Sequence, residues 1–325
     1  MATLATVVAL IGCGGDTDAE TAAESPPAAE QGKSAEPKEA EYRVEITLDG
    51  YPGPETAGIF MAEERGYFAD RGVDVKITSP ITPDNVVEYV TQGFVALGIS
   101  HQPQVLLAKE KGASIVAVAS LVRRPTMALI WLEKSGIRNL ADLKGKTIAV
   151  VDFAFEEELL GSLLAQAGLS LRDVEVKQVG YRLLPALISG RVDAVFGGSG
   201  NVEGVELQAL GLDPVITPVQ RSGIPSYDEL VVIARRGRLA RDPRPIRAFI
   251  AAVARGTAAA REDPEAAAKA IEAARKELEN IGRRERPAEA EVEATLPLLS
   301  PASPVDPRRV GRLANWMRGQ GLLQG

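Results

Sequence analysis

The chain has 325 residues, of which 45% are hydrophobic and 25% charged, a balance typical of globular proteins. Its 37 basic and 44 acidic residues leave a net charge of -7, which excludes the basic stripe that nucleic-acid binding requires. One cysteine and one histidine exclude a disulfide framework, a histidine-rich zinc site and a cysteine nucleophile paired with a base in the folded region. We therefore expect no nucleic-acid partner, no cofactor and no metal site.

The single cysteine, Cys13, ends an apolar stretch over residues 4–12. This stretch is shorter than the roughly 20 residues that a membrane-spanning helix needs, which favours a targeting segment. The sequence Leu10-Ile11-Gly12-Cys13 resembles the bacterial lipobox, whose cysteine is lipidated. We expect residues 1–13 to be a lipoprotein signal, with a buried structural thiol as the alternative.

Residues 14–41 contain no large aliphatic residue and only small, polar and charged side chains until Glu41. Such a segment cannot bury enough apolar surface to offset its ordering entropy, so it is predicted to be a flexible tether. A tether behind a lipidated Cys13 would hold an extracytoplasmic domain close to the membrane, with the lipid as its only membrane contact.

Strand and helix patterns alternate from Tyr42 onward. Strands are predicted at 42–48, 73–77, 95–99, 115–120, 147–151, 174–179, 192–196 and 230–234. Helices are predicted from about Ile59 and over 85–91, 104–110, 156–167 and 185–189, with a mostly helical tail that includes a helix start at Asp263-Pro264. This order predicts an α/β protein with parallel sheets, whose ligands lie at the carboxyl ends of the strands.

Several phrases of the chain resemble the bacterial receptors for thiamine pyrimidine precursors, which are related to the sulfonate and nitrate receptors and to fungal pyrimidine synthase. The phrases follow the family's order along nearly the whole chain. They are residues 58–62, 66–68, 72–75, 98–104, 142–147, 186–194, 197–203 and 223–230.

The resemblance implies a type II periplasmic-binding fold with two α/β lobes, mixed but mostly parallel sheets and two hinge crossovers. Lobe 1 is expected to comprise 42–130 and 226–325, and lobe 2 to comprise 131–225. The hinges are expected near Met127–Leu132 and Gly223–Asp228. The implied function is that of a monomeric solute-binding lipoprotein that captures a small molecule and presents it to the permease and ATPase of an ABC importer.

Four loops between strands and helices are candidates for the ligand site. The first carries Tyr51, Glu55 and Thr56, although Thr56 is expected mainly to cap the following helix. The second carries Ser100, His101 and Gln102, and the lone histidine is expected to line the site because of its loop position.

The third loop carries Asp152, Phe153 and Phe155, and the helix after it opens with the acids 156–158. Acidic residues at a helix start repel anions, so an anionic ligand is disfavoured, although these acids could also lie in solvent. The fourth loop carries Ser199, Asn201 and Glu203. Glu203 stands where the pyrimidine receptors have a glutamate, which resembles a partner for an aminopyrimidine edge.

Stacking aromatics of the pyrimidine receptors are replaced here by Gly50, His101 and Ser199. Tyr51, Phe153, Phe155 or Tyr227 could supply substitute faces. Otherwise the cleft is expected to be wider and more polar, and its ligand to be a neutral or amine-bearing heterocycle that is a thiamine pyrimidine precursor or a related molecule.

We expect no enzymatic activity. Residues 197–201 approach a nucleophile elbow but end in Asn201 where a glycine is needed. A pyrimidine-synthase-like enzyme of the same fold is the main alternative, although that resemblance implies a cysteine-rich segment that this chain lacks. A ligand-sensing domain is the other alternative. Near the C-terminus, Trp316 and Met317 are expected to anchor the tail in the core of lobe 1.

Overall fold

The computed structural model describes residues 40–80, 85–153, 155–278 and 287–324. The predicted lipoprotein signal with Cys13, and the tether up to residue 39, lie outside the described residues. The described part of the chain belongs to one compact unit, Lys38–Gly325.

The described residues form eleven strands. In chain order they are β1 (Tyr42–Thr47), β2 (Val73–Thr78), β3 (Leu97–His101), β4 (Ile115–Val122), β5 (Met127–Leu132), β6 (Thr147–Val150), β7 (Glu175–Gln178), β8 (Ala194–Ser199), β9 (Pro214–Pro218), β10 (Leu230–Arg235) and β11 (Leu299–Ser303).

The same residues form eleven α-helices. They are α1 (Ala57–Glu64), α2 (Asn85–Gln92), α3 (Gln102–Glu110), α4 (Glu156–Ala165), α5 (Leu183–Ile188), α6 (Glu203–Ala209), α7 (Arg236–Arg241), α8 (Arg244–Glu262), α9 (Pro264–Leu278), α10 (Ala288–Thr295) and α11 (Pro307–Gly319).

The first lobe is built on a six-stranded sheet in the order β11-β4-β10-β3-β1-β2. β1 pairs in parallel with β2 and with β3, whereas β10 runs antiparallel to β3 and β4. Val44 and Ile46 of β1 are buried, whereas Arg43 is exposed and Glu45 half-buried, as the alternation in the sequence predicts. The carboxyl ends of β1 and β3 therefore deliver their following loops to one edge of this sheet.

The second lobe has a five-stranded sheet in the order β7-β6-β8-β5-β9. β6 pairs in parallel with β7 and β8, and β5 runs antiparallel to β8 and β9. All six side chains of β5 are buried, which fits its continuous apolar sequence. The loops that follow β6, β7 and β8 lie together at the edge that faces the first lobe.

Two details of the predicted fold differ from the structure. Among the described strands, four pairings are parallel and five antiparallel, so the sheets are mixed without being mostly parallel. Each lobe receives a strand that arrives from the other lobe, β5 or β10, and that strand runs antiparallel to its neighbours. The second difference is the position of the first crossover, which was expected near Met127–Leu132. It lies at residues 123–126, since residues 127–132 form β5 inside the second lobe.

The C-terminal helix α11 differs from its predicted place as well. Leu313 and Met317 belong to the hydrophobic core of the second lobe, and Trp316 packs against that core. The same cluster also reaches Leu106 and Leu107 of α3, which belongs to the first lobe. Burial of Met317 was predicted, but the expected anchoring of Trp316 and Met317 in the core of lobe 1 alone is wrong. The boundary of 226–325 for lobe 1 stays a prediction.

Close packing of α1 on α8 fixes the start of α1. A Cβ atom placed on Gly256 would lie 2.0 Å from the carbonyl oxygen of Gly58, so only glycine permits this approach. The packing holds the loop between β1 and α1 against the interior of the first lobe. No helix in the described ranges is both long enough and apolar enough to cross a membrane.

Candidate functional site

A cavity of about 180 Å3 lies between the two lobes. A cavity of this size holds several water molecules and can admit a small ligand. Its walls come from the loops at the facing edges of the two sheets, as expected for this class of fold.

The loop after β1 forms one wall of the cavity. Tyr51, Glu55 and Thr56 all line it. The hydroxyl of Thr56 donates to the Gly53 carbonyl at 2.8 Å and makes no capping hydrogen bond to α1, which corrects its predicted role. Behind the loop, Arg275 donates from Nε to the Pro52 carbonyl at 3.0 Å and thereby connects the loop to α9.

His101 lies at the end of β3 and also lines the cavity. Its Nδ1 is 2.8 Å from Glu229 Oε1, and its Nε2 is 3.9 Å from Asp49 Oδ2. Burial by itself lowers the pKa of His101, but the hydrogen bond and charge of Glu229, with help from Asp49, raise that pKa above its usual value. His101 is therefore a buried histidine held between two carboxyl groups.

Glu229 connects this histidine to both crossovers between the lobes. Its Oε2 accepts a hydrogen bond of 2.7 Å from the backbone N–H of Thr126, in the first crossover. The hydroxyl of Tyr227, in the second crossover, lies 3.4 Å from the same oxygen. One carboxylate thus joins the cavity wall to both hinges.

The loop after β6 contributes aromatic faces from the second lobe. The ring of Phe153 lines the cavity, and its centroid is 4.8 Å from that of His101. Phe155 is fully buried behind Phe153, with stacked rings 5.7 Å apart. Asp152 is exposed outside the cavity and has a positive φ of 93°.

Glu156 folds back under this loop at the start of α4. Its Oε2 accepts hydrogen bonds from the backbone N–H groups of Asp152 at 2.7 Å and Phe153 at 2.9 Å. Burial raises the pKa of Glu156 to about 7, although these two hydrogen bonds favour the charged form. The predicted acidic helix start therefore includes one acid that is buried, whereas Glu157 and Glu158 are exposed.

The loop after β8 closes the cavity from the second lobe. Gly197, Ser199 and Glu203 line it. The backbone N–H of Ser199 donates to Glu203 Oε2 at 2.7 Å, which fixes the carboxylate at the start of α6. Asn201 lies beside the cavity and donates from Nδ2 to Glu55 Oε1 at 2.8 Å.

The two lobes touch across the cavity, so the structure has a closed cleft. The hydroxyl of Tyr181, after β7, donates to the backbone carbonyl of Asp49 at 2.6 Å. The rings of Tyr181 and Tyr51 meet edge to face with centroids 5.1 Å apart. Together with Asn201, these contacts link loops that belong to different lobes.

Acidic groups dominate the electrostatics of the cavity. The pKa of Glu55 is raised to about 8, mainly by burial and to a smaller extent by the charges of Glu203 and Asp49. Hydrogen bonds from a backbone N–H and from Asn201 oppose this rise. Burial likewise raises the pKa of Asp49, which the charge of His101 partly offsets. Even so, the described residues include no cluster of three or more His, Cys, Asp and Glu side chains arranged to hold a metal ion.

The structure brings together about half of the predicted ligand residues. Those that line the cavity are Tyr51, Glu55, Thr56, His101, Phe153, Ser199 and Glu203. The predicted residues outside its lining are Ser100, Gln102, Asp152, Phe155, Asn201 and Tyr227. Ser100 bonds to Gln104 at 2.9 Å and Tyr227 is fully buried, so both serve the interior.

Several lining residues were missed by the sequence analysis. They are Asp49, Thr126, Tyr181, Glu206, Glu229 and Arg275, together with apolar side chains such as Leu183 and Leu184. Asp49 and Tyr181 follow predicted strands and could have been found by extending the loop argument to every strand end. Arg275 lies in the middle of an alanine-rich helix and gave no such signal.

A family model described as NMT1/THI5 like matches residues 53–267 of the chain. A Haemophilus influenzae protein named for thiamine biosynthesis is 30% identical over 288 residues, covering 88% of this chain and 90% of the relative. The formylaminopyrimidine-binding protein of Halalkalibacterium halodurans is 34% identical over 238 residues, covering 73% of this chain and 72% of the relative.

An enzyme is also similar to this chain: the 4-amino-5-hydroxymethyl-2-methylpyrimidine phosphate synthase of Schizosaccharomyces pombe is 30% identical, covering 63% of the chain and 62% of the enzyme. Among solved structures, the alkanesulfonate-binding protein SsuA of Xanthomonas axonopodis pv. citri, bound to MOPS, superposes with a TM-score of 0.68. That likeness covers 87% of this chain and 94% of SsuA at 20% identity. It confirms the predicted periplasmic-binding fold.

Proposed function

Because the chain belongs to the NMT1/THI5-like family, we propose that it is a solute-binding protein that captures a small amine-bearing heterocycle between its two lobes. The molecule would be a thiamine pyrimidine precursor or a close relative. The name of the Halalkalibacterium halodurans relative supports this ligand class.

The closed, acidic cavity between the lobes is the observation that carries the proposal. Tyr51 and Tyr181 present aromatic rings to it from opposite lobes, and Phe153 adds a third. Glu203 offers a carboxylate, the group that recognises an amine or the edge of an aminopyrimidine. Glu55, whose pKa of about 8 leaves it protonated at pH 7 in the empty cavity, accepts in the same way when an amine displaces that proton. An anion would meet these carboxylates after losing its own hydration, which disfavours sulfonate, nitrate or phosphate ligands.

The cellular setting of this function follows from the N-terminal sequence. We propose that Cys13 is lipidated and that the chain is a monomer anchored outside the cytoplasm, with the lipid as its only contact with the membrane. The bound solute would then pass to the permease and ATPase of an ABC importer. Closure around the ligand would be a hinge motion of the lobes, and the closed form would be the one that the permease recognises.

We propose binding without chemistry, and the described site supports this choice. His101, the one histidine, faces Glu229 at 2.8 Å and Asp49 at 3.9 Å and meets Phe153 edge to face, so both of its ring nitrogens face carboxyl groups. The similarity to the Schizosaccharomyces pombe synthase favours an enzyme as the second candidate. Turnover of a pyrimidine or of a vitamin-derived substrate by the purified protein would support that candidate.

A thermal-shift screen tests the ligand class. The panel contains pyrimidines and thiamine precursors, with flavins, amines and sulfonates for comparison. A ligand that binds only the native state raises the stability of the protein, by about 2.7 kcal/mol when present at 100 times its Kd. We expect the largest rise in Tm with amine-bearing pyrimidines, and a response to sulfonates alone would contradict the proposal.

The lipid anchor has a separate test. The full chain is expressed in a bacterial host, and its N-terminal peptide is analysed by mass spectrometry after membrane fractionation. We expect a lipid-modified Cys13 in the membrane fraction, and release of the protein when the change is Cys13→Ser. An unmodified Cys13 in a membrane-free fraction would refute the anchor and leave the ligand proposal intact.

A further inference from the structure

The charges of the cavity wall are strongly unequal. Among the described lining residues, five carry carboxyl groups and two are basic. The acids are Asp49, Glu55, Glu203, Glu206 and Glu229, and the basic residues are His101 and Arg275. The enclosed position of these groups reduces screening by water, so their charges act on a ligand more strongly than surface charges do.

Both basic side chains already face carboxylates. Arg275 Nη2 lies 2.5 Å from Glu291 Oε2, and both residues are buried. His101 lies between Glu229 at 2.8 Å and Asp49 at 3.9 Å, so one ring faces two acids. Neither of them therefore adds a free positive charge to the cavity, and a ligand that enters meets a net negative wall.

One buried atom indicates what else the ligand provides. Arg275 is nine-tenths buried, lines the cavity, and its Nη1 has no hydrogen-bond partner in the described part of the chain. A donor left in this state costs stability, which an acceptor atom on a ligand would recover.

We propose that the cavity binds its ligand as a small organic cation, a flat ring with a protonated amine among Asp49, Glu55 and Glu203 and an acceptor atom toward Arg275. This rests on the solute-binding function proposed above and narrows its ligand class. The faces of Tyr51 and Tyr181 fit such a molecule, because aromatic rings attract cations as well as flat rings. A cation between carboxylates of both lobes would also hold the cleft closed.

Two pyrimidines that differ in one group test the proposal. The probes are 4-amino-5-aminomethyl-2-methylpyrimidine, whose alkylamine is protonated at pH 7, and the neutral 5-hydroxymethyl analogue. Isothermal titration calorimetry at pH 7 gives both Kd values. We expect the amine to bind about tenfold to hundredfold more tightly, as expected for hydrogen bonds to charged groups.

Variants locate the origin of this preference. Glu203→Gln should remove most of the preference for the amine, and Glu55→Gln provides a second variant if the first does not fold. Glu157→Gln is the matched control, since Glu157 is exposed and outside the cavity, and it should leave both Kd values unchanged.

The outcomes separate this inference from the proposed function. Equal affinity for the two pyrimidines, or tighter binding of the alcohol, would overturn the cation inference while the solute-binding function stands. Failure of the amine to bind would overturn it as well. If in addition no compound of the thermal-shift panel stabilised the protein, the proposed function itself would fall.

Discussion

The side-chain amide of Asn201 donates a hydrogen bond of 2.8 Å to Glu55, a residue of the opposite lobe. The same amide donates to the hydroxyl of Thr295, at the end of α10, also at 2.8 Å. Asn201 was predicted to bind the ligand, and that role remains a prediction. Its contacts give it a second role, because both hydrogen bonds can exist only when the lobes are together.

Asn201→Ala should shift the ligand-free protein toward the open cleft. Two hydrogen bonds at about 1 kcal/mol each correspond to a roughly 30-fold change in the equilibrium. The radius of gyration from small-angle X-ray scattering should increase, and dissociation of a bound solute should accelerate. Asn315→Ala, at an exposed site on α11, is the control. An unchanged radius and dissociation rate would show that Asn201 does not hold the lobes together.

Glu55 predicts a pH dependence of stability with a definite sign. Its pKa is about 8 in the folded protein against 4.5 for the unperturbed group, so the folded state retains a proton that the unfolded chain loses. The associated stability is complete below about pH 4.5 and is lost as the pH rises through 8. Glu156, with a pKa of about 7, acts in the same direction.

Glu55→Gln removes this titration, so the stability of the variant relative to the wild type should increase as the pH rises. We expect a Tm difference near zero at pH 4.5 that grows to about 2–4 °C in favour of the variant at pH 8.5, measured by calorimetry without ligand. Glu157→Gln should show no such trend. A difference independent of pH would contradict the raised pKa of Glu55.

Both the backbone conformation at residue 197 and the atoms around it require a glycine there. Its φ is 101°, and a Cβ atom would lie 2.0 Å from Glu156 Oε1. Gly197→Ala should therefore lower the free energy of unfolding by about 2 kcal/mol or more and distort the cavity wall. Urea denaturation measures this loss. Glu156→Ala has a cost of its own, because Glu156 accepts two backbone hydrogen bonds, so a double-mutant cycle is needed. Gly197→Ala should cost less in the Glu156→Ala background than in the wild type, and an equal cost in both would rule the clash out.

Gly237→Ala serves as the control for this substitution, because no atom lies within 4 Å of its Cβ position and its φ is not positive. It lies within α7, where alanine is favoured over glycine. We expect it to leave stability unchanged or to raise it slightly.

Arg309 of α11 joins both crossovers between the lobes. Its Nη2 donates to the Arg123 carbonyl at 2.6 Å in the first crossover and to Ser226 Oγ at 2.7 Å in the second, and its Nη1 lies 3.1 Å from Asp228 Oδ1. Arg309→Ala should lower the free energy of unfolding by about 2–4 kcal/mol, because it also leaves the buried Asp228 carboxylate without this partner.

Urea denaturation of Arg309→Ala and of Arg312→Ala checks this role, since Arg312 is exposed on the same helix. Arg309→Lys should recover only part of the loss, because an ammonium group cannot make all three contacts at once. Equal stability of the Arg309→Ala and Arg312→Ala variants would exclude a structural role for the arginine.

Local pattern was sufficient to predict most of the fold. Eight predicted strands coincide with observed ones within a few residues, because alternation and short apolar runs are visible in a single sequence. β5 was taken for a hinge on the family resemblance, although its continuous apolar run MALIWL is typical of a buried strand. β9 and β11 were missed because prolines argue against a strand: Pro214 and Pro218 are the two ends of β9, and Pro301 lies inside β11.

The site was predicted only in part because most of its selectivity depends on contacts between distant segments. His101 and Glu203 were found from their places after strands, yet the pairing of His101 with Glu229 joins residues that are 128 positions apart. The bond between Arg275 and Pro52 spans 223 positions. No local pattern in one sequence encodes such pairs, since they depend on how the two lobes fold together.

The strand order of the first lobe also bears on how the chain folds during synthesis. β4 has its two sheet neighbours in β10 and β11, and both are encoded after all the strands of the second lobe. The second sheet, by contrast, uses only residues 127–218 and can pair as soon as that stretch is available. Both edges of β4 remain open to wrong partners until Arg235 has emerged, and one edge remains open until Ser303 has emerged. The lobe whose chain is made first is thus completed last, which makes a chaperone for the emerging chain most useful at that strand.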